Sequence, residues 1–199
     1  MSWKKIVKII NDLEKNLENF DNALLIWEKL KIEINSADHE VPYHIIQIIN
    51  LLKNNKHYNV LDHGCGNGKT IIYLLANGYL NVKGVDISFN GLKYNKFFIK
   101  ILTLSQPIFF NYNGDKLPFE DTYFDFIFSQ QVLEHVDEEN INNYFTEENR
   151  VLKRGGMVYH QIPHLLVPYE SHVKIWFVHW FPDYLRNFIF KFYKIDTQY

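Results

Sequence analysis

The sequence predicts an α/β fold, a doubly wound, mostly parallel sheet preceded by N-terminal helices. Three observations predict it. The hydrophobic period changes from helical to extended after Asn54-Asn55. Beyond that point short apolar runs alternate with helix-like stretches, the order that builds parallel sheets. The first of those runs ends in an acid and a glycine-rich turn that opens the next helix.

Each element follows from its local pattern. Ile6, Ile9, Ile10, Leu13, Leu17 and Phe20 recur at three- and four-residue spacing, as an amphipathic helix requires. A second helix is expected over 22–32, and a third after Pro42, whose ring suits a first helical turn. Residues 58–62 read as a buried strand, 69–76 as a helix stopped by Asn77-Gly78, and 82–86 as a second strand. A helix over 91–104 and a third strand over 107–111 follow. Residues 123–129 (Tyr-Phe-Asp-Phe-Ile-Phe-Ser) have the continuous apolar character of a strand covered on both faces. A helix over 138–152, a turn at Gly155-Gly156 and a fifth strand over 157–162 complete the series.

Composition narrows the function. With 199 residues, 47% hydrophobic and 22% charged, the chain can bury the core of one domain. A net charge of -2 argues against a bulk nucleic-acid binder, which needs a basic excess or a dense basic face. The single cysteine, Cys65, forbids an internal disulfide and fits a reducing, cytoplasmic setting. No window has the length and purity of a transmembrane helix, and Lys8, Asn11 and Asp12 break the N-terminal apolar stretch too soon for a signal peptide.

The informative segment is Val60-Leu61-Asp62-His63-Gly64-Cys65-Gly66-Asn67-Gly68-Lys69-Thr70. Alternate glycines let the chain turn sharply and approach a ligand, and the helix beyond offers free N–H groups. A dinucleotide fingerprint, G-x-G-x-x-G, would place its third glycine where Lys69 stands. A P-loop would need glycine at His63, and Asp62 would repel a triphosphate. A zwitterionic ligand fits better, because Asp62 can neutralise its amino end.

Here the chain resembles the class I S-adenosylmethionine (SAM)-dependent methyltransferases of small-molecule type, whose signature is an apolar strand followed by acid-x-Gly-x-Gly-x-Gly. His63 departs from the small or aliphatic residue usual at its place. Further along, Val85-Asp86-Ile87-Ser88, Asn113-Gly114-Asp115-Lys116-Leu117-Pro118-Phe119, the run ending Ser129-Gln130-Gln131-Val132-Leu133-Glu134-His135-Val136, and Arg150-Val151-Leu152-Lys153-Arg154-Gly155-Gly156 resemble family segments in the right order. The resemblance implies a Rossmann-like fold with SAM as cofactor. It also implies cofactor contacts at Asp62, His63, Gly64, Cys65, Gly66, Gly68, Asp86, Ile87, Asp115, Lys116, Gln130 and Gln131. Asp86 would accept hydrogen bonds from the ribose hydroxyls and Asp115 would hold the adenine amino group. The chain then reads as one methyltransferase domain over 1–199. It comprises a helical cap (1–54), a SAM-binding core (55–162), and substrate-side helices with a last strand (163–199).

Methyl transfer needs alignment and water exclusion above all, and a base only for a protonated nucleophile. His135, at the carboxyl edge of the sheet, is the first candidate base, with His164, Glu170 and His172 as substrate contacts. The spacing of these histidines matches no regular zinc pattern, so no metal is expected. The aromatic segment 173–182 is similar to methyltransferases encoded with surface-polysaccharide biosynthesis. That ranks a sugar, nucleotide-sugar or phosphate-derived oxygen first among small-molecule acceptors. Alternatives are a quinone or RNA acceptor, or a non-catalytic SAM-binding or partner protein. The family sheet ends in a strand pair. Here residues 190–195 supply one strand, so the pair is expected to be incomplete, and the aromatic C-terminal region offers a homodimer surface.

Overall fold

Ile6, Ile9, Ile10 and Leu13 form the buried stripe of α1 (Trp3–Lys15) in the computed structural model, as their spacing requires. The structure describes residues 3–36, 41–88 and 90–162, together with 169–170, 175–176, 182 and 185. Helix α2 (Phe20–Asn35) begins where the Asn19 side chain accepts the Asn22 N–H at 3.2 Å, satisfying an otherwise orphan donor. Helix α3 (Tyr43–Leu52) follows Pro42 and buries Ile45, Ile48 and Leu52.

The sheet has five parallel strands: β1 (Val60–His63), β2 (Val82–Asp86), β3 (Phe109–Asn111), β4 (Phe124–Gln130) and β5 (Leu152–Gln161), in the order β3-β2-β1-β4-β5. Val60 lies opposite Val82 on one side and Phe126 on the other. Helix α4 (Lys69–Ala76) joins β1 to β2, α5 (Asn95–Leu102) joins β2 to β3, and α6 (Ile141–Val151) joins β4 to β5. Strand order therefore reverses beside β1, and open α/β sheets hold their ligands in the crevice at such a switch point. One core cluster unites the N-terminal helices with the sheet: Trp27 meets Phe98 edge-on at 5.1 Å, and Trp3 meets Tyr73 at 5.6 Å.

Two expectations shift. The helix expected from 91 opens as a 3-10 turn, Leu92–Tyr94, before α5. Gly155-Gly156 is no turn between elements but an irregularity inside β5. That strand already pairs at Leu152 with Phe124 and slips register before Met157 pairs with Phe126. A bulge absorbs the extra residues without ending the strand.

The chain divides into two compact units, Met1–Gln161 and Ile162–Tyr199. In the second, β6 (Tyr169–Glu170) pairs antiparallel with β7 (Ile175–Trp176). The strand expected over 190–195 and most of the aromatic segment lie outside the described residues. Among the described residues no helix is long and apolar enough to cross a membrane.

Candidate functional site

A cavity of about 710 Å³ opens at the carboxyl ends of β1, β2 and β4. The turn from β1 into α4 contributes Asp62, Gly64, Cys65, Gly66, Asn67, Lys69 and Thr70. The end of β2 brings Asp86, Ile87 and Asn90, and the exit of β4 brings Gln130, Gln131, Val132, His135 and Val136. Tyr112, just past β3, and Tyr144, on α6, complete the wall.

Backbone geometry holds the turn against β2. The N–H groups of Gly64 and Cys65 both donate to the Val85 carbonyl, at 2.8 and 3.1 Å, and the Gly66 N–H donates to Asp86 Oδ2 at 2.7 Å. Gly64 and Gly68 have φ of +90° and +76°, in the left-handed region that favours glycine. A Cβ on Gly64 would lie 2.3 Å from Val132 Cγ2, and one on Gly68 2.4 Å from the Phe109 ring. The Asp86 carboxylate also accepts the Ser88 N–H at 2.8 Å, so it is fixed before any ligand arrives.

The electrostatics favour a cation. Asp62 is 4% exposed, and burial, reinforced by the charge of Asp86, raises its pKa well above the ordinary value. A ligand ammonium placed there would relieve both effects. Burial, then the charges of Asp62 and Asp86, push the Cys65 thiol far up, so it stays protonated. Among the described residues, Gln130 Nε2 and Ser88 Oγ are buried without a hydrogen-bond partner, and Gln130 lines the cavity. Two carboxylates and an unsatisfied amide donor around an open volume fit a zwitterionic ligand carrying hydroxyls.

Beneath this wall lies a buried polar chain. His63 Nδ1 is 2.9 Å from Glu148 Oε1, and its Nε2 is 2.8 Å from the Tyr112 hydroxyl. Glu148 Oε2 is 3.1 Å from His160 Nε2, and His160 Nδ1 is 2.7 Å from Ser129 Oγ. The His63 ring stacks on Tyr144 at 4.0 Å and 4° between planes. Burial raises the Glu148 carboxyl, yet hydrogen bonds from His160 and His63 outweigh it and leave the pKa lowered. Burial, with the charges of Asp86, Glu148 and Glu147, pushes the Tyr112 phenol up to about 12.

The structure thus brings Asp62, Gly64, Cys65, Gly66, Asp86, Ile87, Gln130, Gln131 and His135 around one volume. Gly68 stands behind it as the N-cap of α4, packed on Phe109. His63 is 1% exposed and outside the lining, because its side chain turns to Glu148 and Tyr112. Asp115 and Lys116 are exposed and also outside it. The Asp115 carboxylate takes the Asn113 amide at 2.6 Å, and its carbonyl takes the Asn143 amide at 2.6 Å, which anchors this turn to α6. His164 and His172 lie outside the described residues, and Glu170 lies in β6 of the second unit. Sequence reasoning missed Tyr112, Tyr144, Thr70 and Asn90. Tyr112 carried a usable signal: it directly follows a strand at the carboxyl edge where such sheets bind ligands.

A family model described as a methyltransferase domain matches residues 61–160. Over 127 residues the chain is 34% identical to an uncharacterised protein of Methanocaldococcus jannaschii, covering 64% of this chain and 50% of that protein. The chain therefore spans about half the length of that relative. Among solved structures, an S-adenosylmethionine-dependent methyltransferase from Clostridium acetobutylicum gives a TM-score of 0.51 at 21% identity, covering 66% of this chain and 56% of that one. A protein from Pyrococcus horikoshii gives 0.48 at 30% identity, with 67% and 58% covered. The first of these likenesses bears on the fold alone.

Proposed function

Because this chain belongs to the class I SAM-dependent methyltransferases, we propose that it transfers the methyl group of SAM to an oxygen of a small-molecule acceptor. The observation that carries this reading is the pair Asp62 and Asp86, both lining the cavity over the glycine turn. Two adjacent carboxylates oppose a phosphate chain and favour an ammonium and hydroxyl donors. Asp62 would hold the amino end of the cofactor, Asp86 its ribose hydroxyls, and Gln130 Nε2 would donate to an acceptor atom of the ligand.

When bound, SAM supplies a methyl group on a sulfonium. The chain's contribution is placement and exclusion of water by Val132, Val136 and Tyr144 along the wall. His135, on the 3-10 turn Leu133–His135, lines the same cavity. It is our choice to take up the proton of an acceptor hydroxyl on its imidazole. We place the acceptor among sugars, nucleotide sugars and phosphate-derived groups of surface glycans. The resemblance of residues 173–182 supports that choice, with His164, Glu170 and His172 as its contacts, the whole chain acting as one domain and the aromatic region as a dimer surface.

Calorimetry tests the core of this reading. SAM and its demethylated product are expected to bind, and Asp86→Ala to weaken both by about tenfold or more, the loss of one or two charge-assisted hydrogen bonds. A wild-type chain indifferent to both ligands would falsify it. Labelled SAM offered with pools of glycan precursors, quinones or RNA identifies the acceptor class.

A further inference from the structure

His63 occupies a position where its family carries small or aliphatic residues, yet it is among the most buried polar groups of the described residues. Two of its three partners line the cavity. Its Nε2 reaches the Tyr112 hydroxyl at 2.8 Å and its ring stacks flat on Tyr144 at 4.0 Å. Its third partner, Glu148 on α6, is gripped from the other side by His160 of β5, itself hydrogen-bonded to Ser129 of β4. Glu148 as carboxylate can only accept, so the hydrogen of His63 must sit on Nδ1, and Nε2 is left to Tyr112. The ring is therefore fixed in orientation and tautomer by a group outside the cavity.

Resting on the cofactor assignment above, we infer that His63 is a positioning residue. One buried imidazole next to the glycine turn holds Tyr112 and Tyr144 in place as walls of the cofactor cavity. It touches neither cofactor nor acceptor, and it acts through the two tyrosines. The strand that carries Asp62 thus also sets the opposite wall, and the two halves of the cavity stay in register.

Two variants separate this role from a purely structural one. Tyr112→Phe deletes the hydroxyl alone. His63→Asn keeps an amide donor for Glu148 while releasing both tyrosines. With S-adenosylhomocysteine as calorimetric probe and folding checked by thermal melts, each is expected to weaken binding about three- to tenfold, the value of one hydrogen bond or stack. The double variant should lose no more than His63→Asn alone, since both cut the same link. Wild-type affinity in the folded variants, or losses that add, overturns the inference. Should His63→Asn fail to fold, 15N spectra of the wild-type imidazole decide. An Nδ1–H that shifts on saturation with S-adenosylhomocysteine is expected, and an Nδ1 without hydrogen or an unmoved resonance overturns the role. A wild-type chain that binds neither SAM nor its product removes the parent reading as well. Wild-type binding with indifferent variants removes this inference alone.

Discussion

Asp62 shows most plainly at the scale of a residue how function is set against stability. Its carboxylate is buried beside a second one, so its folded-state pKa lies well above the unfolded 3.8. The sign follows. The cofactor-free protein is destabilised near neutrality, and it gains stability as pH falls from the raised pKa toward 3.8. Asp62→Asn is expected to stabilise the cofactor-free protein by roughly 1–3 kcal/mol at neutral pH, seen as a raised melting temperature, while weakening SAM binding. A lowered melting temperature would refute the electrostatic account. Gly68→Ala works the other way. Its φ of +76° and the Phe109 ring leave no room for a methyl group, and a loss of about 1–3 kcal/mol in urea unfolding is expected. These two residues were legible in the sequence because their neighbours in the chain define them. The role of His63 was not, since Glu148 stands 85 positions away. The only trace was an imidazole where the family has an aliphatic side chain.

Elements carry the next set of forces. Strand β3 is an edge of the sheet, and Asn95 at the start of α5 stitches it down. Its amide donates to the Phe109 carbonyl at 2.7 Å and its oxygen accepts the N–H groups of Ile108 and Phe109 at 3.1 and 2.9 Å. Asn95→Ala leaves those backbone groups unpaired. A cost of roughly 1–3 kcal/mol is expected in chemical denaturation, with β3 amides losing hydrogen-exchange protection first. Helix α6 holds two glutamates with lowered pKa values. Glu147 is lowered by its bond to Arg150, while in Glu148 hydrogen bonds from His160 and His63 override the rise due to burial. Their stabilisation is complete above the ordinary 4.5 and is lost as pH falls through the lowered values. Melting temperature should therefore drop on the acid side, and Glu148→Gln should flatten that limb. The alternation of strands and helices was readable because burial on both faces leaves unbroken apolar runs, as in β4. The true start of β5 was not, because Gly155-Gly156 reads locally as a turn and only pairing with Phe124 keeps the strand going.

Across the molecule, the N-terminal helices and the sheet share one core, so unit Met1–Gln161 should unfold as a whole. Trp27 is 3% exposed on α2 and packs on Phe98 of α5. Trp27→Ala is expected to cost about 3–5 kcal/mol, with helical and sheet signals lost in a single transition. Separate transitions would show the helical cap to be independent.

The chain's one thiol offers an experimental convenience. Burial, reinforced by the charges of Asp62 and Asp86, keeps Cys65 in its unreactive protonated form, so maleimide dyes should pass it by. A cysteine engineered on an exposed helix could then carry a fluorophore in an otherwise native background, and the binding events at the cavity could be watched without first removing sulfur from the protein.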